Sequence, residues 1–378
     1  MSDTATTAGE PAPPTGGQMT AEQHLYTIIN QAGSQGVSDV HVHPNDGIWL
    51  LDKDRLSHFT APGVQISQAE IMQWLKASKS GDGQKADPFG EKGHASVAFD
   101  TGTWRVRGTF RKSIDGVSCT FRLIPATVPN ADEIGVPQAL QDLVSRASGL
   151  LLVEGPTGSG KTTAIAGLID LINRTQAQHI YLVEHPVEFV HKPQQSLFTQ
   201  REIGVHAPNY HTAIEDALRS KPNVILIGEM LNPETARAAL HAATTGHLVI
   251  TTAHAGSVTE AIDSFIGQFV ADEQPQIRTR LAQSLLGVMV QKLVPAEGGG
   301  KAAVRELMLA DTNIQSIIRD GNLHLLRGQL EGTPNSFSLE QSLAELVRDG
   351  KISVETAYRY TQTREGLEEK LRRLKFVA

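Results

Sequence analysis

The chain is short of several things at once. One cysteine, Cys119, among 378 residues excludes an intrachain disulfide and any multi-thiolate zinc or iron–sulfur site, and suits a reducing compartment. Positive charge is not in excess: 34 Lys+Arg against 41 Asp+Glu give a net −7, which offers no global pull toward nucleic acid or anionic lipid. Aromatic residues are only 5% of the chain, which disfavours a base-stacking surface. No uninterrupted apolar run approaches the roughly 20 residues of a spanning helix, and the opening stretch MSDTATTAGEPAPPTGGQMT has neither a basic leader nor a hydrophobic segment. The expectation is a soluble, cytoplasmic protein that attaches to a membrane only through partners. What is present is 40% hydrophobic residues over 378 positions, enough for sizeable cores and for two domains.

Residues 1–19 carry few large apolar side chains, so ordering them would cost entropy without burial in return; a disordered tail is expected. Leu25, Ile28 and Ile29 at i, i+3 and i+4 predict a helix over 21–33. Strands follow at 38–43 and 47–53, then a helix at 67–78 and a loop over 79–93. The block 94–125 alternates with period two and breaks at Asp100–Gly102 and Asp115–Gly116, a strand meander. Together these predict a small α+β domain over 20–127 and a linker over 128–135. Hydrophobic strands then alternate with helices over 136–310, the pattern of an α/β nucleotide-binding core. The C-terminal region, 311–378, is helical in signal, including 338–350 and 354–376.

The strongest local signal is GLLLVEGPTGSGKTTAIAGLIDLI, residues 149–172. An apolar strand runs into Gly155, Pro156, Thr157, Gly158, Ser159, Gly160, Lys161, Thr162 and Thr163, and a helix follows: G-x-x-x-x-G-K-T in strand–loop–helix context. Gly155, Gly158 and Gly160 let backbone N–H groups curl around phosphates, while the helix turns its positive end toward them. Lys161 reaches the β/γ-phosphates and the Thr162 hydroxyl completes the coordination of Mg2+. The reading is a site for a nucleoside triphosphate, ATP, with Mg2+.

Other walls of the site come from later strands. YLVEHPVEFV (181–190) places Glu184 at a strand exit and Glu188 four residues on; they read as metal-side or water-side groups, or as two solvated acids. PNVILIGEM (222–230) ends in Gly228 and Glu229, at the carboxyl end of a strand where α/β sheets bind ligand. Glu229 is the candidate general base for attacking water, and Gly228 stands where many such ATPases carry a magnesium aspartate. HAATTGHLVITTAH (241–254) sets His247 before a strand and His254 after it. Each reads as a phosphate contact or as a structural hydrogen bond; their spacing suits no common zinc pair. His41 and His43 share a strand face but show no third metal ligand. WRVRGTFR puts Arg105, Arg107 and Arg111 on one strand face, which reads as a phosphate clamp for a neighbouring subunit's ATP, as ordinary surface charge, or as a nucleic-acid contact. Arg219, Arg278 and Arg280 are secondary candidates for that clamp.

In this order GPTGSGKTT, YLVEHPVEF, NVILIGEM and HAATTGHLVITTAH resemble the ATPases of the type II/type IV secretion and pilus superfamily, most closely the PilT-like pilus retraction motors, over about residues 21–350. The resemblance implies an acidic box at Glu184 and Glu188, a catalytic glutamate at Glu229, and a His box containing His247 and His254. It implies a homohexamer in which a PAS-like N-terminal domain supplies Arg105, Arg107 and Arg111 to the ATP of the next subunit's RecA-like domain. It also implies partners among the inner-membrane and cytosolic components of a pilus or secretion apparatus. Three departures, His185 for Asp, Leu231 for Arg, and Asn313 with Gln315 in the helix at 312–324, also fit the ATPases of conjugation and effector delivery, of the DotB and TraJ type.

Overall fold

The computed structural model describes residues 20–44, 46–52, 55–59, 66–78, 87–90, 93–230 and 232–376. The tail at 1–19, Lys53, Leu231 and most of the loop at 79–93 lie outside the described residues. The chain divides into two compact units, Met1–Ala126 and Thr127–Ala378.

In the first unit α1 (Ala21–Ser34) starts at Thr20, whose hydroxyl accepts the Gln23 N–H while the Gln23 side chain accepts the Thr20 N–H, a reciprocal cap that fixes the start. Strands β1 (Asp39–His43), β2 (Gly47–Asp52) and β3 (Arg55–His58) precede α2 (Gln68–Ala77), and β4 (His94–Asp100), β5 (Trp104–Ser113) and β6 (Gly116–Pro125) follow. All neighbours pair antiparallel in the order β3-β2-β1-β6-β5-β4. Period-two alternation buries Val40, Val42, Val106, Phe110 and Phe121 beneath Ile29, Ile71, Trp74 and Leu75 of the two helices, each such side chain contributing about 1.5–3 kcal/mol. Strand β3 was not predicted: all four of its residues are exposed, so no burial pattern marks it.

The second unit is built on a seven-stranded sheet. Its elements run α3 (Gln138–Leu143), β7 (Gly149–Glu154), α4 (Lys161–Thr175), β8 (His179–Glu184), β9 (Leu197–Glu202), α5 (Tyr210–Arg219), β10 (Val224–Ile227), α6 (Pro233–Thr244) and β11 (Leu248–Thr252). Next come α7 (Val258–Gly267), α8 (Gln274–Ser284), β12 (Leu285–Pro295), β13 (Lys301–Leu309), α9 (Thr312–Asp320), α10 (Leu326–Gln329), α11 (Leu339–Arg348), α12 (Val354–Tyr360) and α13 (Arg364–Arg373). The order is β13-β12-β7-β11-β10-β8-β9, parallel throughout except for the β12–β13 hairpin. Both faces are covered: Leu150 and Leu152 enter one core, Leu151 and Val153 the other. That is why β7, β8, β10 and β11 read as continuous apolar runs rather than alternating ones. The layering matches a RecA-like ATPase fold.

The stretch 354–376 predicted as helical is two helices. The buried carboxylate of Glu340 on α11 accepts the N–H groups of Gln362 at 3.2 Å and Thr363 at 3.0 Å, taking donors a continuous helix would use and breaking it between α12 and α13. These helices and α11 bury Leu339, Leu343, Leu367 and Leu371 against Val294 and Val304 of the hairpin.

Candidate active site

Parallel strands bring their carboxyl ends to one edge of the second unit, and the loop after β7 lies there. Gly155, Gly158 and Gly160 have φ of 137°, 76° and 83°, a region closed to most side chains, and a Cβ on Gly155 would collide with the Gln291 carbonyl oxygen. Gly160 caps α4 without any side-chain hydrogen bond, so the first N–H groups of the helix keep no protein acceptor from that cap and face outward as anion donors. Lys161 Nζ donates to its own loop, to Gly155 O at 2.6 Å and Pro156 O at 3.1 Å. Burial lowers its pKa, opposed by the charges of Glu154, Glu229 and Glu188. A cradle that only glycine fits, an uncapped helix start and a lysine ringed by carboxylates fit a phosphate chain with a divalent cation; Thr162 stands in the first turn of that helix.

Glu229 and His254 meet at the next strand ends. His254 Nε2 donates to Glu229 Oε1 at 2.8 Å, and Nδ1 faces the Gly155 carbonyl at 3.3 Å. The ring therefore ties the exit of β11 both to the carboxylate after β10 and to the phosphate loop. Gly228 admits no side chain easily: a Cβ there would lie 3.1 Å from Glu184 Cα and 3.3 Å from the Tyr210 hydroxyl.

Glu184 ends β8 and is only 8% exposed. Burial raises its carboxyl to about 8. It receives a long hydrogen bond from Gln200 Nε2 at 3.4 Å. The loop carrying Glu188 is pinned from β9, where Gln200 accepts the His191 N–H at 2.9 Å and Glu202 accepts the Val187 N–H at 3.1 Å. His185, beside Glu184, donates from Nδ1 to Ile203 O at 3.1 Å.

His247 is not brought to this edge. It precedes β11 at the opposite end of the sheet, where its carbonyl accepts the Gly149 N–H at 3.0 Å and its ring donates to Ala242 O at 3.0 Å. Five residues of strand, about 16 Å, separate it from the loop of its own chain, and within the chain its ring fastens the α6 C-terminus. In the first unit Val106, Gly108 and Phe110 point inward and Arg105, Arg107 and Arg111 outward. Arg105 is held by Asp100 at 2.7 Å and only 17% exposed, whereas Arg111 is exposed and donates to Thr120 Oγ1 at 3.2 Å. His41 faces the same Thr120 hydroxyl at 3.2 Å, and burial lowers its pKa; among the described residues no group of three or more His, Cys, Asp or Glu is arranged to hold a metal.

Sequence reasoning missed Glu154, Tyr210, Gln291 and Arg305. Glu154 closes β7 directly under the loop, 2% exposed, with Oε2 lacking any partner; burial raises it to about 7 against the pull of Lys161. A charged residue ending the run LLLV was the visible signal. Tyr210, on α5, is kept neutral by burial and by the charges of Glu229 and Glu184.

A glycine-cradled loop between a parallel strand and a helix start, with a histidine-tethered glutamate across the strand ends, defines a P-loop ATPase. Residues 16–315 match the family described as type II/IV secretion system protein, and the chain belongs to that family; it is an ATPase of the pilus and secretion motor superfamily. It is 40% identical over 258 residues, 67% of this chain and 68% of the relative, to a twitching motility protein of Neisseria gonorrhoeae. It is 33% identical over 336 residues, 88% of this chain and 96% of the relative, to the type IV pilus retractation ATPase PilT of Pseudomonas aeruginosa. The crystal structure of the pilus retraction motor PilT with bound ADP superposes with a TM-score of 0.83 at 31% identity, covering 91% of this chain and 99% of that one. Among the described residues no helix is long and apolar enough to cross a membrane.

Proposed function

We propose that the protein is a Mg-ATP-hydrolysing motor that works as a homohexamer in the cytoplasm, attached to the inner membrane through partner proteins, and powers a pilus or a type IV secretion machine. The observation that carries the reading is the pair His254–Glu229 at 2.8 Å, with the same ring on Gly155 O of the phosphate loop. Glu229 orients the attacking water and takes its proton. His254 keeps that carboxylate in register with the loop. Lys161 leaves the Gly155 and Pro156 carbonyls for the β/γ-phosphates, and Glu184 and Glu188 serve the metal or water side. Mg2+ at the Thr162 hydroxyl supplies neutralisation of the phosphate charge. Arg107 and Arg111 of the neighbouring subunit's first, PAS-like domain complete the clamp; Arg105, tied to Asp100, contributes to the same face chiefly by holding the end of β5. Hydrolysis then releases a reorientation of the two units. Between the two machines, pilus retraction is favoured by the identity to the twitching motility protein and to PilT.

The test is complementation in mixed rings. Lys161→Ala retains the arginines and R107A/R111A retains the loop; each alone should lack steady ATP turnover, and mixing should restore a fraction of it. Mixed hexamers without recovered turnover would contradict the shared site, and a fully active monomer by light scattering at high Mg-ATP would contradict the ring.

A further inference from the structure

Arg305 on β13 is 8% exposed and, among the described residues, its guanidinium donates to an amide and two backbone carbonyls rather than to a carboxylate. Its Nε donates to Gln291 Oε1 on β12 at 2.7 Å, and its two terminal nitrogens donate to Gly135 O at 2.6 Å and Ile134 O at 2.9 Å. The Gln291 amide continues the chain, donating from Nε2 to Ser159 O at 2.7 Å, inside the phosphate loop. A buried cation without an anion is a costly way to fill space, and an apolar pair would pack as well. What this relay adds is a fixed register between carbonyls at its two ends.

One end is the nucleotide loop. The other is the segment at 127–137 that enters the second unit immediately after the boundary at Ala126. A separate contact joins the same two places: a Cβ on Gly167 of α4 would lie 3.1 Å from Ala131 Cα, so the helix following the loop rests directly on that segment. Within the segment, Val136 N–H donates to Ala131 O at 2.8 Å and Gly135 N–H to Asp132 O at 3.0 Å, and Gln141 Nε2 holds Asp132 at 2.9 Å and Val136 O at 3.0 Å.

We propose that Gln291 and Arg305 are positioning residues that couple nucleotide occupancy of the phosphate loop to the hold on the segment 130–136. When Lys161 leaves the carbonyls of Gly155 and Pro156 the loop backbone resets; Ser159 O moves with it, and the Gln291–Arg305 relay carries the change to the carbonyls of Ile134 and Gly135. Coupling is reciprocal, so displacement of the segment changes nucleotide affinity. The inference rests on the reading of the loop as a nucleotide site and deepens it.

The experiment is amide hydrogen exchange of the full chain with and without ADP, alongside an independent measurement of ADP binding. In the wild type ADP should change exchange at Gly135 and Val136 several-fold. Gln291→Glu keeps an acceptor for Arg305 but loses the donor to Ser159, and Arg305→Lys keeps the charge but loses the fork; both should bind ADP while the segment's response shrinks to near zero. A segment that ignores bound ADP in the wild type, or a full response in both variants, overturns the proposal. Failure of the wild type to bind ADP at all overturns this inference and the nucleotide-site reading together.

Discussion

Glu154 is a carboxylate buried at the end of an apolar strand. Its carboxyl ordinarily ionises near 4.5 and in the folded chain near 7, because burial disfavours the charge more than Lys161 favours it. Between those values the folded state holds the extra proton, so this contribution to stability is full below about 4.5 and is lost as pH rises through 7. Glu154→Gln should therefore lose less stability than the wild type between pH 5 and pH 8, by about 2–3 kcal/mol. Denaturant unfolding at the two pH values checks this, and parallel losses in both proteins would contradict it. The motif residues of the loop were legible because backbone geometry demands them: positive φ at Gly155, Gly158 and Gly160 leaves few alternatives. Gln291 and Arg305 were not, because what sets them apart is burial and partnership across the fold, which no local spacing encodes; Glu154 left only the charge that ends the run LLLV as its mark.

At the scale of elements, strands buried on both faces and helices with a clear apolar stripe were legible from periodicity; β3, wholly exposed, was not. The break between α12 and α13 was hidden for a different reason. It depends on the Glu340 carboxylate, which accepts the N–H groups of Gln362 and Thr363 and pairs with Arg327 at 3.3 Å. Glu340→Ala leaves those donors without their acceptor and frees the half-exposed Arg327, and should cost about 1–3 kcal/mol, with α12 and α13 loosening first. Hydrogen exchange at 361–363 and unfolding midpoints measure this; an unchanged midpoint would show that the cap does not hold the region. His247 and His254 illustrate the same limit. The sequence places both beside one strand, yet five residues of extended chain send them to opposite ends of the sheet.

The whole molecule combines a second unit that builds the phosphate loop, Glu229 and His254 with a first unit that bears outward-facing arginines. Net charge of −7 excluded a generally basic surface but concealed this local one, since averages over the chain carry no position. The central claim is hydrolysis of ATP with Glu229 activating water, and steady-state turnover of Glu229→Gln against wild type, with ATP binding measured on the same samples, tests it most directly. The expected result is turnover reduced about 10²–10⁴-fold with binding retained. Near-normal turnover by the variant would contradict the account.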